Sequence, residues 1–195
     1  QKAINAVNTD GITVHVAADT YNESLDFKGK NLTLIADHGS SATTLQPPDG
    51  MAAVNFHLNE TKASALQNFT VTCGAVNCVS ISGASPTIAD NVIQAQNQNT
   101  GTGIFVTNGK PSITNNTLLN WDKGLYISNP IRYWSNIISN TFRGNNNGIY
   151  IEGGGAEWIE RNIISDNLND GIYAGGTFRG LSTPSQMINN TIARN

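Results

Sequence analysis

Side chains that advertise chemistry are scarce in this chain of 195 residues, which carries three His, two Cys and two Met. The histidines, His15, His38 and His57, are scattered and form no metal motif. Eleven Lys and Arg make no basic patch, and a net charge of −3 speaks against nucleic acid, whose phosphates require clustered cations. No run of 18 apolar residues occurs, so no membrane span is expected, and no Met-led targeting segment precedes Gln1. Helix-forming stretches are few. Asn supplies 27 residues, too many for a helical protein, because its side chain competes with the helix for backbone hydrogen bonds. These shortages lead to an expectation of no cofactor, with calcium on Asp and Asn oxygens in the loops as the metal best matched.

Cys73 and Cys78 in "TCGAVNC" read either as a small disulfide loop or as two buried thiols. Six N-x-Ser/Thr sequons, starting at Asn22, Asn31, Asn59, Asn68, Asn115 and Asn189, fit an exported chain. An extracellular, cell-surface or periplasmic location is expected.

What the chain has in abundance is repetition. "GIFV" at 103–106, "GLYI" at 124–127, "GIYI" at 148–151 and "GIYA" at 171–174 follow one another at 21, 24 and 23 residues. A second pattern, apolar-x-x-Asn-x-apolar, recurs at Asn91, Asn116, Asn140, Asn162 and Asn190, with a looser copy at Asn68. Periods of this length belong to leucine-rich repeats or to β-solenoids. Ile in place of Leu, missing helix formers and short strands broken by Asn and Gly favour the solenoid. Each coil then supplies three short strands stacked on the next at roughly 4.8 Å.

Alternation within "GIYI" puts Ile149 and Ile151 in the core and Tyr150 outside. The same parity turns Phe105, Tyr126 and Tyr173 outward into one column. The repeated Asn residues are expected to form a ladder at a bend, and the Gly residues at 103, 124, 148 and 171 to serve a tight bend into the strand. The chain is expected to be one unit over 1–195: a cap helix in 1–10, first coils with a loop excursion in 11–60, and regular repeats over 61–195. Within it Asp37 to Gly50 reads as the loop. Both ends read as cut from a longer chain, and the end without a cap raises the prospect of end-to-end self-association.

The opening "QKAINAV...GITVHVAADTYNESLDFKGKNLTLIA", with "ITNNTLLN...GLYI", "ISNTFRGNNNGIYI" and "IERNIISDNLNDGIYA", resembles the right-handed parallel β-helix proteins of the pectate-lyase-like superfamily. The resemblance spans nearly the whole chain. It is nearest to the group of carbohydrate-binding proteins and sugar hydrolases, which includes the periplasmic copper-processing protein of nitrous oxide reductase maturation. It implies an all-β, right-handed, single-stranded parallel β-helix of about six to seven coils with an N-terminal helical cap. It also implies a long sugar polymer as partner, bound or cleaved along an external parallel sheet. The polygalacturonase set "NTD", "DD" and "GHG" is represented only by an isolated "NTD" at Asn8 to Asp10, the epimerase "DPHE" is absent, and Met and His are thin for a copper protein.

Phe105, Tyr126, Tyr150 and Tyr173 are therefore the candidate carbohydrate-binding residues, with simple ring stacking as the competing explanation. Trp134 and Trp158 are candidates to flank the same groove or to pin loops, as is Trp121. Catalytic candidates are Lys123, Glu152 and Asp170: Glu152 with Asp170 as the carboxylate pair of a glycoside hydrolase, or Lys123 or a Tyr as the base of a lyase. The expected function is a polysaccharide-binding or structural module, with a polysaccharide lyase or glycoside hydrolase as the alternative.

Overall fold

Each sequence repeat folds as one coil made of three short parallel strands. A computed structural model describes residues 1–74, 76–128, 134–153, 157–175 and 186–195. One coil runs through Ser112–Thr114, Thr117–Leu119 and Lys123–Ser128, and the next through Asn136–Ile138, Thr141–Arg143 and Asn147–Glu152. Strands in equivalent positions pair in parallel and build three sheets. The first has eight strands from Ile12–Val16 to Gln186–Ile188, the second eight from Thr20–Tyr21 to Thr191–Ala193, and the third seven from Leu25–Asp26 to Asp170–Gly175. The chain is a right-handed parallel β-helix, the hand preferred by parallel crossovers, with seven complete coils and two strands of an eighth.

The core is a set of aligned columns. Leu66, Ile88, Ile113, Ile137 and Ile159 face inward from the first sheet, and Val71, Ile93, Leu118, Phe142 and Ile164 from the second. All ten are fully buried. Burying each such side chain stabilises the fold by about 1.5–3 kcal/mol, before conformational entropy is set against it.

Between the first and second sheets the backbone turns through a left-handed residue at Asn68, Asp90, Asn115, Ser139, Arg161 and Asn189. The residue that follows forms the expected ladder. Asn91 Nδ2 donates to Asn116 Oδ1 at 3.0 Å, Asn116 to Asn140 at 3.1 Å, Asn140 to Asn162 at 3.1 Å and Asn162 to Asn190 at 2.9 Å. Each Oδ1 also accepts the backbone N–H of the preceding ladder residue. The looser copy is displaced by one residue. Phe69, not Asn68, holds the ladder position, since its N–H donates to Asn91 Oδ1 at 3.0 Å while Asn68 supplies the left-handed turn.

A second ladder lies at the next bend, between the second and third sheets. Trp121 N–H donates to Asn145 Oδ1, Asn145 Nδ2 to Asn167 Oδ1 at 3.0 Å and Asn167 Nδ2 to Asn195 Oδ1 at 2.7 Å. Here the repeated Gly finds its reason. A Cβ at Gly124 would stand 2.7 Å from the carbonyl oxygen of Gly148, and one at Gly148 would stand 2.6 Å from that of Gly171. Both residues therefore serve close coil-to-coil approach, with no positive φ involved.

The cap helix, Lys2–Ala6, closes the first coil with Ile4, which is 1% exposed. Lys30 Nζ donates to the carbonyls of Ile4, Asn5 and Val7 at 2.6–2.9 Å, placing a cation on the acceptors at the helix end. The stretch from Asp37 to Gly50 contains one short strand, Thr44–Leu45, which joins the second sheet between Thr20–Tyr21 and Thr70–Cys73. Cys73 and Cys78 form a disulfide that ties Thr70–Cys73 of the second sheet to Asn77–Ser82 of the third.

Candidate functional site

Four strands of the third sheet, Thr102–Thr107, Lys123–Ser128, Asn147–Glu152 and Asp170–Gly175, align Phe105, Tyr126, Tyr150 and Tyr173 in register. Inward neighbours Ile104, Leu125 and Ile149 are fully buried, so strand parity leaves the aromatics outside. Their rings touch. Centroids are 5.2 Å apart for Phe105 and Tyr126, 5.5 Å for the edge-on pair Tyr126 and Tyr150, and 4.4 Å for the stacked pair Tyr150 and Tyr173. Phe105, Tyr126 and Tyr150 are half-buried and Tyr173 is exposed. Upstream the same column continues as Asn55 and Ser80.

Glu152 gathers the hydroxyls of this column. Tyr126 Oη donates to Oε2 at 2.5 Å and Tyr150 Oη to Oε1 at 3.1 Å. These two bonds, with the Lys123 charge nearby, hold the Glu152 carboxyl below the usual range. The phenols move the other way. Tyr126 is raised, first by its bond to Glu152 and then by burial; burial and the same carboxylate push Tyr150 up to about 12. A base for proton abstraction needs its conjugate acid near the working pH, and both phenols are shifted away from it.

Lys123 Nζ binds Asp122 Oδ2 at 2.6 Å and stands 5.0 Å from the Tyr150 ring centroid and 5.7 Å from that of Tyr126. Burial works against the Asp122 carboxylate, but hydrogen bonds from Lys123 and Asn146 outweigh it and lower its pKa. Lys123, Asn147 and Asp170 form one register column. The carboxylate pair does not come together. Asp170 pairs with Asn147, five residues upstream of Glu152, which puts the two carboxylates' backbones roughly 15 Å apart along the sheet. A hydrolase pair needs about 5–10 Å.

The tryptophans do not flank this column. Trp121 is fully buried, donating Nε1–H to the Ile93 carbonyl at 3.0 Å, and it heads the second Asn ladder. Trp158 lies in the first sheet, where its Nε1 donates to Glu160 Oε2 at 2.8 Å, and Trp134 stands just before that sheet. The second ladder was legible in one respect: Trp121, Asn145, Asn167 and Asn195 each follow a first-ladder Asn by five residues.

For metal ligation the soft donors stay apart. The cysteines are joined to each other. His15 Nδ1 lies 2.6 Å from Asp37 and His57 Nε2 3.2 Å from Asp26, while Met51 and Met187 are many coils apart. Among the described residues no three His, Cys, Asp or Glu side chains form a metal-binding group, and no described helix is long and apolar enough to cross a membrane.

A family model described as periplasmic copper-binding protein (NosD) matches residues 3–195. Comparison with curated proteins and with solved structures gives no match. The family match overturns the expectation of no cofactor, because copper binding is part of the family's description. The donors described above nonetheless do not fit a copper centre built from His, Met or thiolate. The expected location outside the cytoplasm agrees with the periplasmic family and with the disulfide.

Proposed function

The chain belongs to the NosD family, and on that premise we propose that this β-solenoid binding module holds a polysaccharide strand along the outer face of its third sheet. The observation that carries this reading is the unbroken column of Phe105, Tyr126, Tyr150 and Tyr173, with ring centroids 4.4–5.5 Å apart, beside the hydroxyl-bearing edge gathered on Glu152. Since the rings stack on one another, a polymer running along the solenoid axis meets mainly ring edges and polar groups. Glu152 and the oxygens of the two phenols accept from sugar hydroxyls, and Lys123 donates to them. Because an aromatic ring recurs once per coil over four coils, a polymer of repeating units meets the same surface more than once, which favours a chain over a single sugar.

The reading is one of binding. A binding panel of neutral and acidic polysaccharides, comparing the wild type with Tyr126→Ala/Tyr150→Ala, tests it. Loss of retention in the double variant is expected; equal retention by a folded double variant, or none by the wild type, sinks it.

A further inference from the structure

The outer face of the third sheet carries a charge pattern that ring stacking does not require. Across the five strands from Asn77–Ser82 to Asp170–Gly175 the charged side chains are Lys123, Glu152 and Asp170. Glu152 and Asp170 lie on neighbouring strands and both are exposed. Glu152 follows Tyr150 by two residues and Asp170 precedes Tyr173 by three, so the ring column has a carboxylate on either side. The cation is already engaged, since Lys123 Nζ stands 2.6 Å from Asp122 Oδ2. The other outward groups beside the rings are uncharged: Ser80 is in register with Phe105, Ser82 with Thr107, and Ser128 with Glu152.

Glu152 accepts from both phenols, and those bonds hold its carboxyl below the usual range, so it stays ionised at neutral pH. A polyuronate carries one carboxylate on every sugar unit. Lying over the rings, it would run between Glu152 and Asp170 and meet a single ammonium that Asp122 already holds. Like charges set against each other at an interface lower affinity and so discriminate between partners. An uncharged chain meets hydroxyls and phenol oxygens instead, and Glu152 accepts from its hydroxyls.

Resting on the reading that this face holds a polysaccharide, we propose that it selects uncharged polymers and turns away uronate-bearing ones, with Glu152 as the residue that excludes them.

The test uses the whole chain with hexasaccharides of cellulose, mannan and galactan, each beside its form oxidised at the primary alcohols to the uronate, read by calorimetry at low and high salt. The wild type is expected to bind at least one neutral hexasaccharide about tenfold or more tightly than its uronate form at low salt, and the gap should narrow as salt screens the carboxylates. Glu152→Gln keeps the shape and an acceptor oxygen, and it should strengthen uronate binding about threefold or more. Asp122→Asn, which leaves the Lys123 charge unbalanced, should act in the same direction. Asp90→Asn makes the same change of charge at the bend between the first and second sheets and should leave the ratio as it was. A uronate form bound as tightly as its neutral parent, with both lost in Tyr126→Ala/Tyr150→Ala, overturns the selectivity and leaves the binding face in place. An unchanged ratio in Glu152→Gln, or an equal shift in Asp90→Asn, overturns it too. Binding of neither form by the folded wild type removes the binding face itself, and the selectivity with it.

Discussion

Tyr126 and Glu152 sit on neighbouring coils and share a hydrogen bond of 2.5 Å, so one carboxylate joins two turns of the solenoid from the outside. Tyr150 reaches the other oxygen of the same carboxylate. Glu152 as acceptor keeps Tyr126 protonated well into alkaline solution, and burial together with the same carboxylate does so for Tyr150. A spectrophotometric titration near 295 nm should show Tyr126 ionising above the ordinary phenol range and Tyr150 at about 12. Tyr150→Phe should remove the latest step and Glu152→Gln should bring both phenols down. Because the folded-state pKa is raised, the associated stability is fully present below the unfolded value near 10 and is lost as pH rises through about 12. A Tyr150→Phe chain with the same alkaline loss of stability would refute this assignment.

Asn140→Ala and Asn115→Ala should differ sharply although both remove one Asn. Asn140 is 1% exposed and accepts from both Asn116 N–H and Asn116 Nδ2; deleting it leaves a buried donor unpaired, at a cost of roughly 3 kcal/mol. Asn115 is exposed at φ 57°, and its loss should cost about 1 kcal/mol of left-handed strain. Urea denaturation of the two variants checks the ordering.

Gly124→Ala places a Cβ 2.7 Å from the Gly148 carbonyl oxygen. Neither partner is a flexible side chain, so coils must separate where the second ladder begins. A loss of several kcal/mol, or failure to accumulate folded protein, is expected. A thermal midpoint equal to the wild type would show that the coil spacing yields at this corner.

Replacing Cys73 and Cys78 by Ser opens a loop closed across five positions. The chain-entropy estimate for so short a loop is about 2 kcal/mol, and the midpoint in urea should fall accordingly. Reduction of the wild type should reproduce the effect, which non-reducing thiol counting would verify.

Much of this architecture was legible because a solenoid writes its geometry once per coil. The alternation Ile149, Tyr150, Ile151 assigned inside and outside correctly, and the Asn spacing located a ladder. The one-residue error at Asn68 has a physical source: the turn needs an αL residue and the ladder needs its successor, and Asn suits both positions. The repeated Gly could not be read as a steric requirement, since the group it must avoid is a carbonyl one coil away. Side-chain partners across coils were less accessible. Glu152 accepting from Tyr126, 26 residues upstream, depends on register. Separation along a strand defeated the pairing of Glu152 with Asp170, for proximity in the repeat count is not proximity on the sheet.

Both Asn ladders run in one sense, each amide donating to the oxygen of the following coil. From the coil of Asn116 and Trp121 onward, each coil therefore presents its successor with the same demand at two bends and receives the same answer. Whole coils are interchangeable units of length under this rule: removing or duplicating one leaves each donor facing an equivalent acceptor, whereas gaining or losing a single residue inside either bend breaks the match. Variation in the size of such a molecule is thereby quantised, and the tolerance for insertions is confined to segments away from the two amide columns.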